Sequence, residues 1–114
     1  MIKINGQEIM TPQELETEDF FIEETARLAS GKLVVEKIAR KKRFNLAYPR
    51  TAGDELDKIL DLAYSDTFVT FEYPDEKNEM QTVTVKAEDT PRSLVRSTAN
   101  GHYYDSWELE LVEQ

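Results

Sequence analysis

The sequence predicts a mainly-β, α+β fold: antiparallel strands joined as hairpins, one of them long, with a single helix packed against them. Three observations predict it. Apolar and polar residues alternate over several short runs, as half-buried strands require. Turn-forming Gly, Pro and Asn separate those runs. Only one window carries apolar residues at i, i+3, i+4 and i+7, the spacing of a helix face. The chain has 114 residues, 39% apolar and 10% aromatic, enough for one core and too few for two. Residues 1–114 are therefore expected to form a single domain.

The opening IKINGQEI places Asn5-Gly6 between two short apolar runs, the strongest short signal for a hairpin because both turn positions take positive φ. After Thr11-Pro12, residues 13–19 fit neither period cleanly, and helix and strand both remain open there. FFIEETARLAS reads better as strand. Ser30-Gly31 marks a turn, and KLVVEKIARKKRFNLAY follows with Val34, Ile38, Phe44, Leu46 and Tyr48 at even positions. Strands 20–29 and 33–48 would thus make a long hairpin, about 20–48. Lys32, Glu36, Arg40 and Lys42 share the even face, so either the middle of that strand extends beyond the core or a bulge resets its register.

Pro49 ends the strand, Thr51 stands where a helix N-cap belongs, and Asp54 and Glu55 suit the positive end of the helix dipole. Leu56, Ile59, Leu60 and Ala63 complete the stripe of a helix over about 52–64. TFVTFEYP and MQTVTVKA alternate on either side of the charged turn 75–79, a second hairpin. Residues 88–101, rich in Ser, Thr and Asn, are expected as an exposed loop whose only apolar pair is Leu94-Val95. HYYDSWELELVEQ supplies a last strand with Tyr103, Trp107, Leu109 and Leu111 on one face.

Charge is segregated. The net charge is −9, yet segment 32–50 carries seven basic residues against one acid, Glu36. Such an island could grip phosphates, but strand alternation sends Lys37, Lys41 and Arg43 to one face and Arg40 and Lys42 to the other. The acidic remainder also opposes the approach of nucleic acid or anionic membrane. Pairing with a protein surface is the preferred reading of Lys37, Arg40, Lys41, Lys42 and Arg43, ahead of a solvated edge strand protected by lysine. Leu94 and Val95 join them as interface candidates, since an apolar pair on a loop gains only by touching something.

No catalytic constellation stands out. The single histidine, His102, lacks a nucleophile elbow, and the four glycines are scattered as turn and cap residues. Asp54, Asp57 and Asp61 read as a solvated helix face and not as a metal site, and the residue order of a calcium loop is missing. With no cysteine, thiolate sites and disulfides are excluded. No enzyme activity, metal or cofactor is expected. Met1 to Gly6 lacks the apolar run of a signal peptide, and no window is apolar enough to span a bilayer, so the expected location is the cytoplasm.

The series IKINGQEI, KKRFNLAYPR, AGDELDKIL, FVTFEYPDEKNEMQTVTVKA and YYDSWELELVE resembles a family of small proteins encoded in the tail-gene regions of phages and prophages of Gram-positive bacteria. The resemblance spans nearly the whole chain and rests on structural motifs. It implies a virion or tail-assembly role, with passage from the host cytoplasm into the tail. The element order is similar to the β-sandwich-plus-helix of tail tube, tail completion and distal tail proteins, which assemble as rings. It implies an antiparallel β-sandwich or partly closed barrel, with the chain itself and neighbouring tail proteins as partners. The alternative from another class is a small acidic adaptor or inhibitor that mimics nucleic acid on a host protein, motivated by Glu14, Glu16, Glu18, Asp19, Glu23 and Glu24.

Overall fold

The computed structural model of the chain describes residues 2–99 and 101–114, with the side chains of all of these but Glu24, Glu36, Lys37, Ile38, Arg96 and Thr98. The elements run β1 (Lys3–Ile4), β2 (Gln7–Glu8), β3 (Glu14–Arg27), β4 (Leu33–Tyr48), β5 (Thr51–Ala52), α1 (Gly53–Ala63), β6 (Val69–Pro74), β7 (Met80–Ala87), β8 (Leu94–Thr98), β9 (Gly101–Tyr104) and β10 (Trp107–Glu113). Seven strands form one sheet in the order β2-β1-β6-β7-β10-β4-β3, and three form another in the order β5-β9-β8. Every pairing is antiparallel. The fold is mainly β with one packed helix.

Local chemistry accounts for the turns. Asn5 and Gly6 both have positive φ, 52° and 77°, as a tight hairpin turn requires. The Asn5 side chain also ties the turn to β6, accepting from the Thr70 N–H at 3.1 Å. In the β6–β7 turn, Asp75 accepts from the Lys77 and Glu79 N–H groups, each at 2.9 Å. These bonds hold its carboxyl below the usual carboxylate range.

Alternation gives the large sheet one apolar face. Phe44, Leu46 and Tyr48 of β4 stand opposite Leu111, Leu109 and Trp107 of β10, and all six are buried. Val69, Phe71 and Tyr73 of β6 and Val85 of β7 extend that face, and α1 covers it with Leu56, Ile59, Leu60 and Ala63. The face is concave. In a flat sheet β4 and β6, three places apart, would lie about 14 Å from one another. The Phe44 ring nevertheless sits 5.0 Å from Phe71 and 4.6 Å from Tyr73. The sheet curls around the helix yet stays open, with β2 and β3 as its margins.

Beyond this core the β3–β4 hairpin becomes an arm. β10 pairs with β4 only as far as Val112 opposite Arg43, while β3 and β4 continue to Arg27 opposite Leu33. The radius of gyration is 18.1 Å and the extents are 70 × 30 × 25 Å, against about 13 Å for the radius of a compact domain of this length. Residues 13–19, which the pattern left between helix and strand, enter β3 at Glu14. The register of β3 on β4 shifts between Ile22 and Glu23, which face Ala39 and Lys37. That bulge is one of the two readings that the even-face charges had left open, and with it Val34 does not share a face with Phe44. One unpaired residue reverses the alternation, so odd positions 33 and 35 continue the Phe44 side and Val34 turns to the other.

Two further expectations are corrected. The N-cap of α1 is Ala52, with no side-chain bond to the helix, and not Thr51. Pairing of Thr51 with Tyr104 keeps residue 51 extended, and its buried hydroxyl serves Trp107 Nε1 at 3.0 Å and the Pro49 carbonyl at 2.7 Å. Residues 88–101 are not a continuous loop, because Leu94–Thr98 form β8 against β9. Leu94 and Val95 are adjacent and both exposed, so the run shows no alternation to read.

Candidate functional site

The basic run lies along β4 and finds acids on its own neighbouring strand. Asp19 receives Arg40 Nη2 at 2.9 Å and Lys42 Nζ at 3.1 Å. Those hydrogen bonds, from Lys42 first and Arg40 second, hold the Asp19 carboxyl below its ordinary value, and Asp19 in turn raises Lys42. On the opposite face Arg43 spans Glu18 at 3.6 Å and Glu110 at 3.1 Å, and its guanidinium lies 4.8 Å from the centre of the Phe20 ring. Lys41 Nζ donates to the Gln114 carbonyl oxygen. The side chain of Lys37 lies outside the described residues; its backbone faces Glu23 across the bulge.

Alternation does separate Arg40 and Lys42 from Lys41 and Arg43, as the pattern required. The sequence reading missed their intramolecular partners. Folding the chain about Ser30-Gly31 sets residue 18 against 43 and 19 against 42, which is the register found. These pairs are exposed, Arg40 at 62% of its side chain and Asp19 at 37%, and solvent screens them, so each contributes little to stability. Their effect is to align the ribbon more than to stabilise it.

The arm is also apolar. Ile22, Leu28, Leu33, Val34 and Val35 are between 41% and 51% exposed, and Phe21 is 43% exposed. Among the described residues none of the buried core falls between positions 20 and 42. A two-stranded ribbon with no layer against it is marginally stable in water, and this projection gathers six exposed large apolar side chains.

Leu94 and Val95 remain exposed, at 55% and 42%. They open β8, whose partner β9 pairs with β5 just beyond Tyr48, whereas the arm leaves the core at Arg43. The two candidate surfaces therefore occupy opposite ends of β4 and are not brought together.

Elsewhere the polar groups are occupied structurally. His102 Nδ1 lies 2.8 Å from Ser97 Oγ on the exposed β8–β9 hairpin, while Asp105 accepts from the Ser106 N–H. Among the described residues no carboxylate bonds to His102, so the orienting acid of a hydrolytic triad is not in place beside the Ser97–His102 pair. Trp107 is in the core, stacked on Tyr48 with ring centres 4.7 Å apart. Among the described residues no group of three or more His, Asp or Glu side chains is placed to hold a metal ion, and no helix is long and apolar enough to cross a membrane. No protein-family model matches the chain, and no curated protein matches it.

Proposed function

We propose that the protein is a structural component of a phage tail, a non-enzymatic assembly protein that associates with copies of itself and with neighbouring tail proteins and ends in the virion. The observation that carries this reading is the arm: a long ribbon extending past the core, with exposed apolar side chains at its far half. Its apolar surface gains stability only when a partner covers it. The resemblance of the element series to phage tail-region proteins supplies the context. The separate patch at Leu94 and Val95 suits a contact with a different tail component, since one subunit of a ring or stack must present two unlike surfaces. The acidic-adaptor alternative is less favoured, because Glu18 and Asp19 already face bases of their own chain.

Light scattering of the purified chain over a range of concentration and salt tests this reading. It predicts masses above 13.2 kDa that rise with concentration and fall at high salt. A monomer under every condition that also fails to bind neighbouring tail proteins would remove the support.

A further inference from the structure

β3 ends the order of the large sheet, so among the described residues no strand lies along its outer margin. Which main-chain groups face that margin follows from β4. The Lys42 N–H donates to the Glu113 carboxylate at 2.8 Å, on the β10 side, and therefore points away from β3. In an antiparallel pair, directly opposed residues turn their main-chain groups toward each other or away, in alternation. Asp19, opposite Lys42, thus turns its N–H and C=O to the open margin, and so do Thr17 and Leu15, two and four places back.

The two faces beside that margin differ. On the face opposite the core stand Glu14, Glu16 and Glu18, all exposed. Arg43 serves Glu18, shared with Glu110, whereas Glu14 and Glu16 stand opposite the uncharged Ala47 and Asn45. On the other face Leu15 packs against the core, and with Thr17, Tyr73 and Pro74 it lines an open groove of about 460 Å³ between β3 and the end of β6. Of the charged groups at that groove, Lys42 donates to Asp19 and Asp75 accepts from Gln81 Nε2 at 2.9 Å, while Glu76 is exposed at the rim.

An open margin with aligned main-chain groups is a template for an added strand. Side chains directly opposite one another project to the same face, so the margin also specifies the sequence pattern of the newcomer. We propose that residues 14–19 of β3 bind an extended segment of a different protein in which basic and apolar residues alternate: lysine or arginine beside Glu14, Glu16 and Glu18, and apolar side chains beside Leu15 and Thr17, reaching into the groove. Main-chain bonds at Leu15, Thr17 and Asp19 hold the segment, and the charges select it. A second copy of the chain lacks this pattern. Its β3 would set acid against acid, and the basic run of its β4 carries cations on both faces, so that a base would meet Lys42 in the groove. The site lies at the core end of the hairpin, apart from the exposed apolar half of the arm and from Leu94 and Val95, and it does not depend on self-association.

Short capped peptides carrying a fluorophore test this on the intact chain, by anisotropy at low salt. One alternates lysine and valine, one holds the same residues in two blocks, and one alternates glutamate and valine. The alternating lysine peptide is expected to bind about tenfold tighter than the block peptide, and the glutamate peptide not at all. Glu14→Gln with Glu16→Gln, at exposed positions outside the core, should weaken the alternating lysine peptide by about tenfold, and amide exchange at Leu15 and Thr17 should slow when it is bound. Equal binding of the alternating and block lysine peptides would reduce the face to a charge attractor and overturn the strand pairing, as would unchanged exchange at Leu15 and Thr17. No binding would leave the acids as guards of the edge and overturn the site. A scattering mass that the peptide drives down to one copy would show the margin taken by a second copy and overturn the choice of a different protein. A chain that stays a monomer yet binds the alternating lysine peptide would support the site and remove the self-association reading alone.

Discussion

Phe44 and Tyr73, replaced by leucine singly and together, probe the curl of the sheet, the feature on which the core depends. The two residues belong to β4 and β6, and their rings are 4.6 Å apart at an angle of 56°. Each is buried, at 0% and 4% exposure. Leucine keeps much of the volume, so each single change should cost about 1.5 kcal/mol or less. An aromatic pair in this tilted geometry is worth about 0.5–1.5 kcal/mol beyond its area. The double variant should therefore be more stable than the sum of the two losses predicts, by that amount. Urea unfolding reads this directly: with a slope of about 1–3 kcal/mol per molar, a coupling of 1 kcal/mol moves the midpoint by roughly 0.3–1 M. Residues on strands three places apart in a flat sheet would be additive within about 0.3–0.5 kcal/mol. Additivity of that kind would refute the curl and with it the seating of α1.

Other outcomes follow from single groups. Thr51→Val leaves Trp107 Nε1 without its 3.0 Å acceptor in a buried site, and should destabilise the chain by about 1–3 kcal/mol, with a change in Trp107 emission as a second readout. Asp19 has a depressed folded pKa, so its contribution is present above the unfolded value of about 3.9 and is lost as pH falls through the folded one. Carboxylate titration by NMR should find Asp19 protonating below the ordinary aspartate range, and Arg40→Gln together with Lys42→Gln should return it to its ordinary value. Burial raises the Tyr48 hydroxyl, which donates to the Met10 carbonyl at 2.8 Å. The stability it carries is complete below about pH 10 and lost above it. Alkaline titration by absorbance should show Tyr48 ionising only as the chain unfolds, a component that Tyr48→Phe removes.

What the sequence disclosed follows from how strongly each element couples its own pattern to burial. The Asn5-Gly6 turn, the stripe Leu56-Ile59-Leu60-Ala63 and the alternating runs of β6, β7 and β10 all carry their burial in local spacing, and they were legible. Phe44, Leu46 and Tyr48 were legible for the same reason, because β10 and the helix lie against that half of β4. Past Arg43 the strand pairs with β3 alone among the described residues; the charges at even positions pointed to a bulge, but its place opposite Ile22 and Glu23 was not legible. Thr51 was misread because its partner, Trp107, stands 56 positions away in the chain. β8 was hidden because its two apolar residues, Leu94 and Val95, are adjacent and both exposed, so they show no alternation toward a core. The basic candidates were picked out by charge alone, and their partners Glu18, Asp19 and Glu110 emerge only once the hairpin register is known.

The central claim is that the arm serves association and not the stability of the core. Asp19 and Lys42 are cross-strand partners, so a two-residue Asn-Gly turn can join them in place of residues 20–41, removing none of the buried core among the described residues. Light scattering of this trimmed chain beside the full one, at matched concentration and low salt, is the most direct measurement. The account predicts that the trimmed chain keeps its urea midpoint to within about 1 kcal/mol of stability and scatters as a single copy, while the full chain scatters as an oligomer. A trimmed chain that associates as the full chain does would contradict it, and so would one that no longer folds.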